Sequence, residues 1–248
     1  MAKKKSDKKT HKWRKCPLGQ HWRNASNIDK HERRNATVKS HYRKGTCVKN
    51  RSGKDTLYAD EVYIITNTYF VKRKTQISSN ALGYKKGSDF DHIIDGWVSY
   101  WNDVLKPKVP LDPDFVKVMI ATESSFNVKA KAFAGKRAGH ARGLMQVTDQ
   151  TLKFLKGHKT EAGNQLIILD ENDMTDPVLN IVAGVRWLYR KKQIADARYK
   201  DESSWLKSVM LYKGYRSMNH KQVQKFIRLY ERIKSKSSTY HADLGNIF

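Results

Sequence analysis

The sequence predicts a mainly α-helical domain preceded by a small basic module of extended or β-like character. From residue 88 onward, apolar residues recur at spacings of three and four, which is the period of an amphipathic helix. Residues 11–54 contain many His, Arg, Lys and Asn residues and few aliphatic ones, which is too little apolar surface for a core of their own. We therefore divide the 248 residues into a basic tail (1–10), a His- and Arg-rich module with a strand-like segment and a linker (11–87), and a helical domain (88–248).

The second part of the module, residues 56–73, is dense in β-branched and aromatic side chains. This density is typical of a strand. The residues that produce it are Val62, Tyr63, Ile64, Ile65, Thr66, Thr68, Tyr69, Phe70 and Val71. Residues 74–88 contain Ser, Asn and Gly with little periodicity, which predicts a linker.

Caps and prolines mark the boundaries of the first two helices. Ser88 and Asp91 have the spacing of a capping box, and Pro107 ends the helix that follows them. Asp112 is placed to cap a second helix whose first position holds Pro113. Four more helices are expected at about 148–157, 176–194, 204–212 and 223–233, with loops near 127–147 and 157–175.

The chain carries a formal net charge of +25, from 49 Lys and Arg residues against 24 Asp and Glu. Residues 1–54 account for +15 of this charge and the other residues for +10. A balance this basic implies a polyanionic neighbour, which is nucleic acid, an anionic membrane surface or an acidic wall polymer.

No apolar run approaches the ~20 residues of a membrane span. The lysine-rich start lacks the apolar segment of a signal peptide, so secretion through a cleaved signal is not expected.

Glu123 is the candidate catalytic residue because it falls at the end of the predicted second helix. The negative end of the helix dipole disfavours an ionised carboxylate there, and apolar neighbours such as Phe126, Phe133 and Met145 would disfavour it further. Both effects favour the protonated form that a general acid needs at neutral pH. The alternative is a glutamate that is solvated or paired with one of the many lysines.

Four short pieces follow one another in order from Glu123 onward. They are Glu-Ser-Ser-Phe at 123–126, Gly-Leu-Met-Gln-Val at 143–147, Asp-Pro with a following Asn and Gly at 176–184, and Leu-Tyr-Lys-Gly at 211–214. With this order and spacing, residues 90–235 resemble the catalytic domain of soluble lytic transglycosylases (SLT), within the lysozyme-like group that includes goose-type lysozymes. Residues 1–87 lie outside the resemblance. One departure concerns Lys213, which stands where the family usually has Asn.

The resemblance implies a lysozyme-like helical fold and an enzyme that cleaves peptidoglycan. The bond is the β-1,4 linkage between N-acetylmuramic acid (MurNAc) and N-acetylglucosamine (GlcNAc). Glu123 would protonate the glycosidic oxygen and then act as base on the C6 hydroxyl, which attacks the anomeric carbon and leaves a 1,6-anhydro-MurNAc end. No cofactor and no metal ion is implied.

The resemblance also implies a set of substrate-binding residues around the glutamate. They are Ser124, Gly143, Leu144, Met145, Gln146, Asn180 and Tyr212. Gly143 would let the backbone approach the sugar, and Met145 and Gln146 would line the cleft. Asn180 would order the loop that carries Gly143, and Tyr212 would close the site beside Glu123. Structural roles are the alternative for Ser124, Met145, Asn180 and Tyr212.

Three other functions compete with lytic cleavage. A hydrolytic muramidase needs a second carboxylate, about 5–5.5 Å from the first for retention or 6.5–9.5 Å for inversion. Asp149 is the acid nearest in sequence to the Gly143 loop, but its position suits the first turn of a helix better. A wall-binding protein without activity would fit the departure at Lys213. A nucleic-acid-binding protein would fit the charge but would explain none of the four pieces.

The basic module offers a zinc hypothesis and a binding hypothesis. The candidate zinc ligands are His11, Cys16, His21, His31, His41 and Cys47, which lack the closely spaced pairs of structural zinc sites. A Cys16–Cys47 disulfide is the alternative. Aromatic and cationic residues interleave in a way that could stack on sugars or bases or bind phosphates, at Trp13, Arg14, Trp22, Arg23, Tyr42 and Arg43.

Beside a muramidase-like domain, the expected partner of residues 11–54 is an anionic wall polymer such as teichoic acid. Peptidoglycan glycan strands are the expected substrate, and a phage tail or a secretion or injection assembly is a further expected partner. Nucleic acid is the less favoured one. The expected site of action is the bacterial cell wall, reached as part of a virion or an apparatus or by another non-classical route.

Overall fold

The computed structural model describes residues 12–33, 36–200 and 205–244. Helices dominate these ranges and most strands lie in the N-terminal part, so the predicted fold class, a mainly helical domain after a small basic β module, is confirmed. His11 and Ser204 lie outside the described residues. Within the described ranges, no helix combines the length and the apolar character that a membrane crossing requires.

Six short strands between residues 20 and 49 form one long antiparallel ribbon, two strands wide and interrupted twice. Its pairs are β1 (Gln20–Arg23) with β6 (Thr46–Lys49), β2 (Ser26–Ile28) with β5 (His41–Arg43), and β3 (His31–Arg33) with β4 (Ala36–Val38). The register stays constant from Gln20 opposite Lys49 to Arg33 opposite Ala36. About 14 residues a side at ~3.3 Å each give a length of roughly 45 Å. Because a two-stranded ribbon is marginally stable by itself in water, its base needs an anchor.

A disulfide closes the base of the ribbon. Cys16 and Cys47 are bonded, with their Cα atoms 5.5 Å apart. The zinc hypothesis therefore fails for these two residues, because their sulfurs are already joined to each other. Across the ranges that the structure describes, no cluster of three or more potential metal-ligating side chains occurs.

Two buried side chains fix the segment before the ribbon to the rest of the molecule. Trp13 packs edge-on against Phe70, with ring centroids 5.8 Å apart. The guanidinium of Arg14 is buried between the carboxylates of Asp55 and Glu61 and pairs with both. The basic module therefore shares the core of the helical domain.

The strand predicted over 56–73 is wrong beyond residue 58. β7 (Asp55–Tyr58) is followed by α1 (Ala59–Ile65) and a π-helical turn (Thr66–Phe70). Val62, Ile65 and Phe70 are buried on one face, and the ring of Phe70 lies 5.2 Å from that of Trp97. Strand preference depends strongly on context, and here packing against the neighbouring helices outweighs the β-branched composition.

A parallel strand pair connects the two parts of the chain. β7 lies beside β11 (Gln165–Ile168), which falls in the loop predicted at 157–175. Leu57 and Ile167 are opposite each other in this ladder and both are buried.

The helical domain contains six further α-helices. They are α2 (Asp91–Leu105), α3 (Pro113–Glu123), α4 (Asp149–Leu155), α5 (Pro177–Tyr199), α6 (Leu206–Tyr212) and α7 (Lys221–Leu244), with short 3₁₀ turns at His158–Thr160 and Glu171–Thr175. The predicted caps of α3 and α5 are confirmed, since Asp112 accepts a hydrogen bond from the Asp114 N–H and Asp176 accepts one from the Leu179 N–H, each 2.9 Å long. α5 is buried along most of its first half and forms the centre of the domain.

The predicted capping box at the start of α2 is wrong. Phe90 is the N-cap of α2 and has no side-chain cap. The hydroxyl of Ser88 donates to the Ser79 carbonyl, and the carboxylate of Asp91 instead accepts from the buried ammonium of Lys117 at 2.9 Å. A long-range ion pair has replaced the local cap.

The loop predicted at 127–147 contains a small antiparallel sheet. Its strands are β8 (Lys131–Phe133), β9 (His140–Arg142) and β10 (Val147–Thr148), with β9 in the middle. The sheet lies between the end of α3 and the start of α4, so it flanks the segment that carries Gly143.

Candidate active site

Glu123 is the last residue of α3, as predicted from the sequence. Its side chain is 16% exposed, and Oε1 accepts a hydrogen bond from Nζ of Lys213 at 2.6 Å. After Glu123 the chain turns sharply, because Ser125 and Phe126 both adopt the left-handed conformation, with φ of 53° and 62°. Such residues cost energy unless the surroundings hold them, and here the ring of Phe126 is buried against Tyr84.

The Gly143–Gln146 loop (residues 143–146) lies beside this turn. The hydroxyl of Ser124 donates to the Leu144 carbonyl at 2.8 Å, and the hydroxyl of Tyr212 donates to the Met145 carbonyl at 2.8 Å. Ser124, the residue that caps the C-terminal end of α3, and Tyr212 of α6 therefore both bind the loop close to the end of α3.

Gly143 is in a place where a side chain cannot be accommodated. Its φ is +72°, and a Cβ would lie 2.1 Å from the carbonyl oxygen of Met174 and 2.3 Å from Nδ2 of Asn180. Glycine thus serves two purposes here, a left-handed turn and a close approach of the backbone. Gln146 closes the loop, since its side-chain amide donates to the Gly143 carbonyl at 2.9 Å.

Asn180 of α5 anchors the Gly143–Gln146 loop by side-chain hydrogen bonds. It is fully buried in the first turns of α5, and its Oδ1 accepts from the Met145 N–H at 2.8 Å. Its Nδ2 donates to the carbonyls of Arg142 at 2.9 Å and Met174 at 3.0 Å. The side-chain amide of Asn180 therefore both accepts and donates hydrogen bonds, as expected of a residue that orders the backbone around the loop.

Two of the predicted substrate-binding residues, Leu144 and Met145, have side chains that are fully buried in the core. Met145 packs directly on Gly184 of α5, where an added Cβ would lie 2.5 Å from its sulfur. Core packing, the structural alternative for Met145, is thus what the structure has, and it extends to Leu144.

Comparison with known protein families agrees with this arrangement. The family described as the transglycosylase SLT domain matches residues 103–229, just over half of the chain. The chain belongs to the transglycosylase SLT family. Membership indicates lytic transglycosylase activity on peptidoglycan, and the matched range contains all four pieces that carry the resemblance. Neither the curated proteins nor the solved structures gave a significant match.

Tyr212 of the SLT domain is a neutral hydrogen-bond donor. Burial raises the pKa of its hydroxyl well above the ordinary value, and the nearby negative charge of Glu123 raises it further. Tyr212 is therefore protonated at neutral pH and donates a hydrogen bond to the Met145 carbonyl.

Asp149, the candidate second carboxylate, is engaged elsewhere. It occupies the first turn of α4, where it accepts a hydrogen bond from the His140 N–H at 2.8 Å and pairs with Arg142. Burial would raise the pKa of Asp149, but this hydrogen bond and the guanidinium outweigh it and the net shift is downward. The helix-start interpretation of Asp149 agrees with these contacts.

Lys213 contacts Glu123, and sequence reasoning gave it no role. It lies 90 positions from Glu123, at the C-terminal end of α6, and only 5% of its side chain is exposed. Two signals pointed to it separately, namely its departure from the family's Asn and the alternative that Glu123 is paired with a lysine. Only the folded structure shows that both signals concern the same contact between Lys213 and Glu123.

Proposed function

We propose that the SLT domain of this chain is a peptidoglycan lytic transglycosylase that cleaves the MurNAc–GlcNAc bond with Glu123 as its single acid and base. One observation carries the proposal, which is that Ser124 and Tyr212 bind the two adjacent carbonyls of the Gly143–Gln146 loop and so bring it beside the Glu123 carboxylate. A partly exposed carboxylate next to a tightly shaped backbone loop is suited to act on a sugar that lies across that loop.

The chemistry needs only one carboxylate. In the first step, protonated Glu123 gives its proton to the glycosidic oxygen while the bond from that oxygen to C1 of MurNAc breaks. In the second step, the Glu123 carboxylate takes the proton of the C6 hydroxyl while O6 bonds to C1. The products are a free GlcNAc hydroxyl and a 1,6-anhydro ring, and no water is consumed.

The hydrolytic alternative is weaker because it requires a second carboxylate at a defined distance from the first. Asp149 is the acid considered for this role, and it is bound to Arg142 and to the backbone of His140. Both oxygens of Asp149 are thus already bound within the protein.

Product analysis tests the proposal. Purified peptidoglycan sacculi are incubated with the full chain, and the released fragments are examined by mass spectrometry. We expect 1,6-anhydro-MurNAc ends, which are lighter by one water than reducing ends. Reducing ends would instead identify a hydrolytic muramidase. Absence of cleavage would favour the non-catalytic alternatives, binding to walls or to nucleic acid.

We further propose that the basic ribbon binds an anionic wall polymer and brings the SLT domain to its substrate. Residues 20–49 contain eight Lys and Arg residues against two acidic ones. Lys30, Lys39 and Lys44 are exposed along the ribbon, and Tyr42 between them is 65% exposed. A narrow, basic ribbon roughly 45 Å long suits an extended polyanion. Attachment to a phage tail or to a secretion assembly stays a prediction from the sequence.

Replacing Lys30, Lys39 and Lys44 together by glutamine should weaken binding to walls that carry anionic polymer by roughly ten-fold, since each exposed charge pair contributes several tenths of a kcal/mol. A pull-down with intact walls and with walls stripped of their phosphate polymers measures this. Deletion of the module is unsuitable, because it would remove Trp13 and Arg14 from the core.

The matched control is the same exchange at three exposed lysines outside the ribbon, Lys72, Lys221 and Lys225. Cleavage of soluble glycan fragments should be unchanged in both variants. Equal wall binding by the ribbon variant, the control variant and the parent protein would contradict the proposal. Loss of binding to a DNA duplex with no change in wall binding would point to nucleic acid instead.

A further inference from the structure

Lys213 and Glu123 form an ion pair that is largely shielded from water. The two atoms, Nζ and Oε1, are 2.6 Å apart, and the side chains are 5% and 16% exposed. Among the described residues, Glu123 is the one carboxylate that the structure places within ion-pair distance of Lys213. Tyr212 of α6 is a titratable group near Glu123, and burial together with the charge of Glu123 raises the pKa of its hydroxyl well above the ordinary value. The residues of the loop facing the pair, from Gly143 to Gln146, carry no titratable side chain.

This pair conflicts with the first step of the reaction. Lys213 and Glu123 meet at 2.6 Å as a charged pair, whereas the reaction begins with a proton on Glu123. An Asn at position 213, as the family usually has, would form no ion pair. The chain therefore needs a way to bring a proton to Glu123 once the substrate is bound.

Building on the proposed function, we propose that Lys213 supplies the proton that Glu123 transfers to the glycosidic oxygen. A glycan in the site covers the exposed part of Glu123 and removes the water that stabilises the separated charges. Desolvation penalises an ion pair relative to the neutral form of the same two groups. Transfer of one proton along the existing hydrogen bond then leaves a neutral amine and a carboxylic acid.

The proton balance closes within the site. An N–H bond of Lys213 breaks as an O–H bond forms on Glu123, and that proton passes to the leaving oxygen as the C1–O bond breaks. The Glu123 carboxylate next takes the proton of the C6 hydroxyl as the O6–C1 bond forms. Return of this proton to Nζ of Lys213 restores the starting ion pair, so a turnover exchanges no proton with the solvent.

A positioning role makes a different prediction from a proton-supplying role. An arginine would hold Glu123 in place at least as well as a lysine, because its guanidinium forms strong bonds with carboxylates. A guanidinium does not release its proton in proteins, however, whereas a desolvated ammonium can. An asparagine offers no charge and leaves Glu123 to take its proton from the solvent.

The experiment compares kcat on a soluble peptidoglycan fragment for the parent protein, Lys213→Arg and Lys213→Asn between pH 5 and pH 8. We expect Lys213→Arg to lose about 100-fold or more in kcat at every pH, the size of a general acid–base contribution. Lys213→Asn should stay within about ten-fold of the parent at pH 5 and lose activity towards pH 8, more steeply than the parent. Thermal unfolding and fragment binding identify a variant that fails to fold. If Lys213→Arg fails to fold, the pH profile of Lys213→Asn still tests the proposal.

An arginine variant with the kcat of the parent, or an asparagine variant whose pH profile matches it, would overturn the proton-supplying role and leave the proposed function standing. Loss of activity in both variants at all pH values, with binding retained, would also overturn it, because the asparagine variant should still be able to take a proton from the solvent at pH 5. If the parent protein itself does not cleave the fragment, the proposed function fails and this inference fails with it.

Discussion

Replacing Glu123 by glutamine is expected to reduce glycan cleavage by at least about 10²–10⁴-fold, the range of a general acid–base contribution. Glutamine has nearly the same shape but carries no transferable proton and cannot accept one from the C6 hydroxyl. Both steps of the lytic reaction are therefore lost together. The fold should remain, because the amide oxygen of glutamine can still accept the hydrogen bond from Lys213.

Turbidity loss of purified sacculi, followed by mass spectrometry of the fragments, measures the effect. The matched control is Glu231→Gln, the same exchange at an exposed position on α7. It should leave the rate unchanged. Anhydro ends released by Glu123→Gln at a rate near that of the parent would show that another group acts as the acid.

The start of α3 could be predicted because its signals are local. Asp112 caps the helix and Pro113 occupies its first position, and these two neighbouring residues determine where the helix begins. Counting from there places Glu123 in the last turn, at the end of the helix dipole where the catalytic hypothesis needs it. Asp176 and Pro177 mark the start of α5 in the same way, and this helix places Asn180 in hydrogen-bond contact with the loop.

The contacts that shape the site could not be predicted in the same way, because they join residues far apart in sequence. Asn180 is 35 positions from Met145, and Lys213 is 90 from Glu123. Periodicity and caps carry no information about which helix ends meet. The resemblance to the SLT family identified the right segments, but it did not distinguish side chains that line the cleft from the buried side chain of Leu144.

The segment after β7 was missed for a related reason. Its β-branched residues favour a strand when considered alone. Val62 and Ile65 also have a helical spacing, however, and the helix face they form is buried against the neighbouring core. The same segment carries Glu61, one of the two acids that pair with Arg14. The helix is thus part of the anchor between the basic module and the helical domain.

Replacing Arg14 by alanine is expected to destabilise the fold strongly. Its guanidinium is fully buried, donates to both oxygens of Glu61 at 2.9 and 2.7 Å, and also pairs with Asp55. Further bonds reach the carbonyls of Gln20 and Thr56 at 2.8 and 3.1 Å, which joins the ribbon to β7. Removing one partner from a buried ion pair costs about 3–5 kcal/mol, because the remaining charges stay desolvated. The melting temperature should fall by about 10 °C.

The loss should depend on pH in a defined direction. Burial raises the pKa of Glu61, and Arg14 opposes this rise. Without Arg14, burial and the like charge of Asp55 remain, so the folded form holds the proton of Glu61 more tightly than the unfolded chain does. The cost of ionising it therefore appears as the pH rises above the range in which an unfolded glutamate titrates. The difference in unfolding free energy between the parent protein and Arg14→Ala should be larger at pH 7 than at about pH 4.

Chemical unfolding at the two pH values measures this difference, and Lys12→Ala is the control. Lys12 forms an exposed ion pair with Asp103 at 2.8 Å, which contributes at most about 1 kcal/mol. If Arg14→Ala cost no more than Lys12→Ala, the buried pairs of Arg14 would not be what holds the basic module to the helical domain. A loss that is equal at both pH values would mean that packing of the arginine, and not its charge, stabilises this junction.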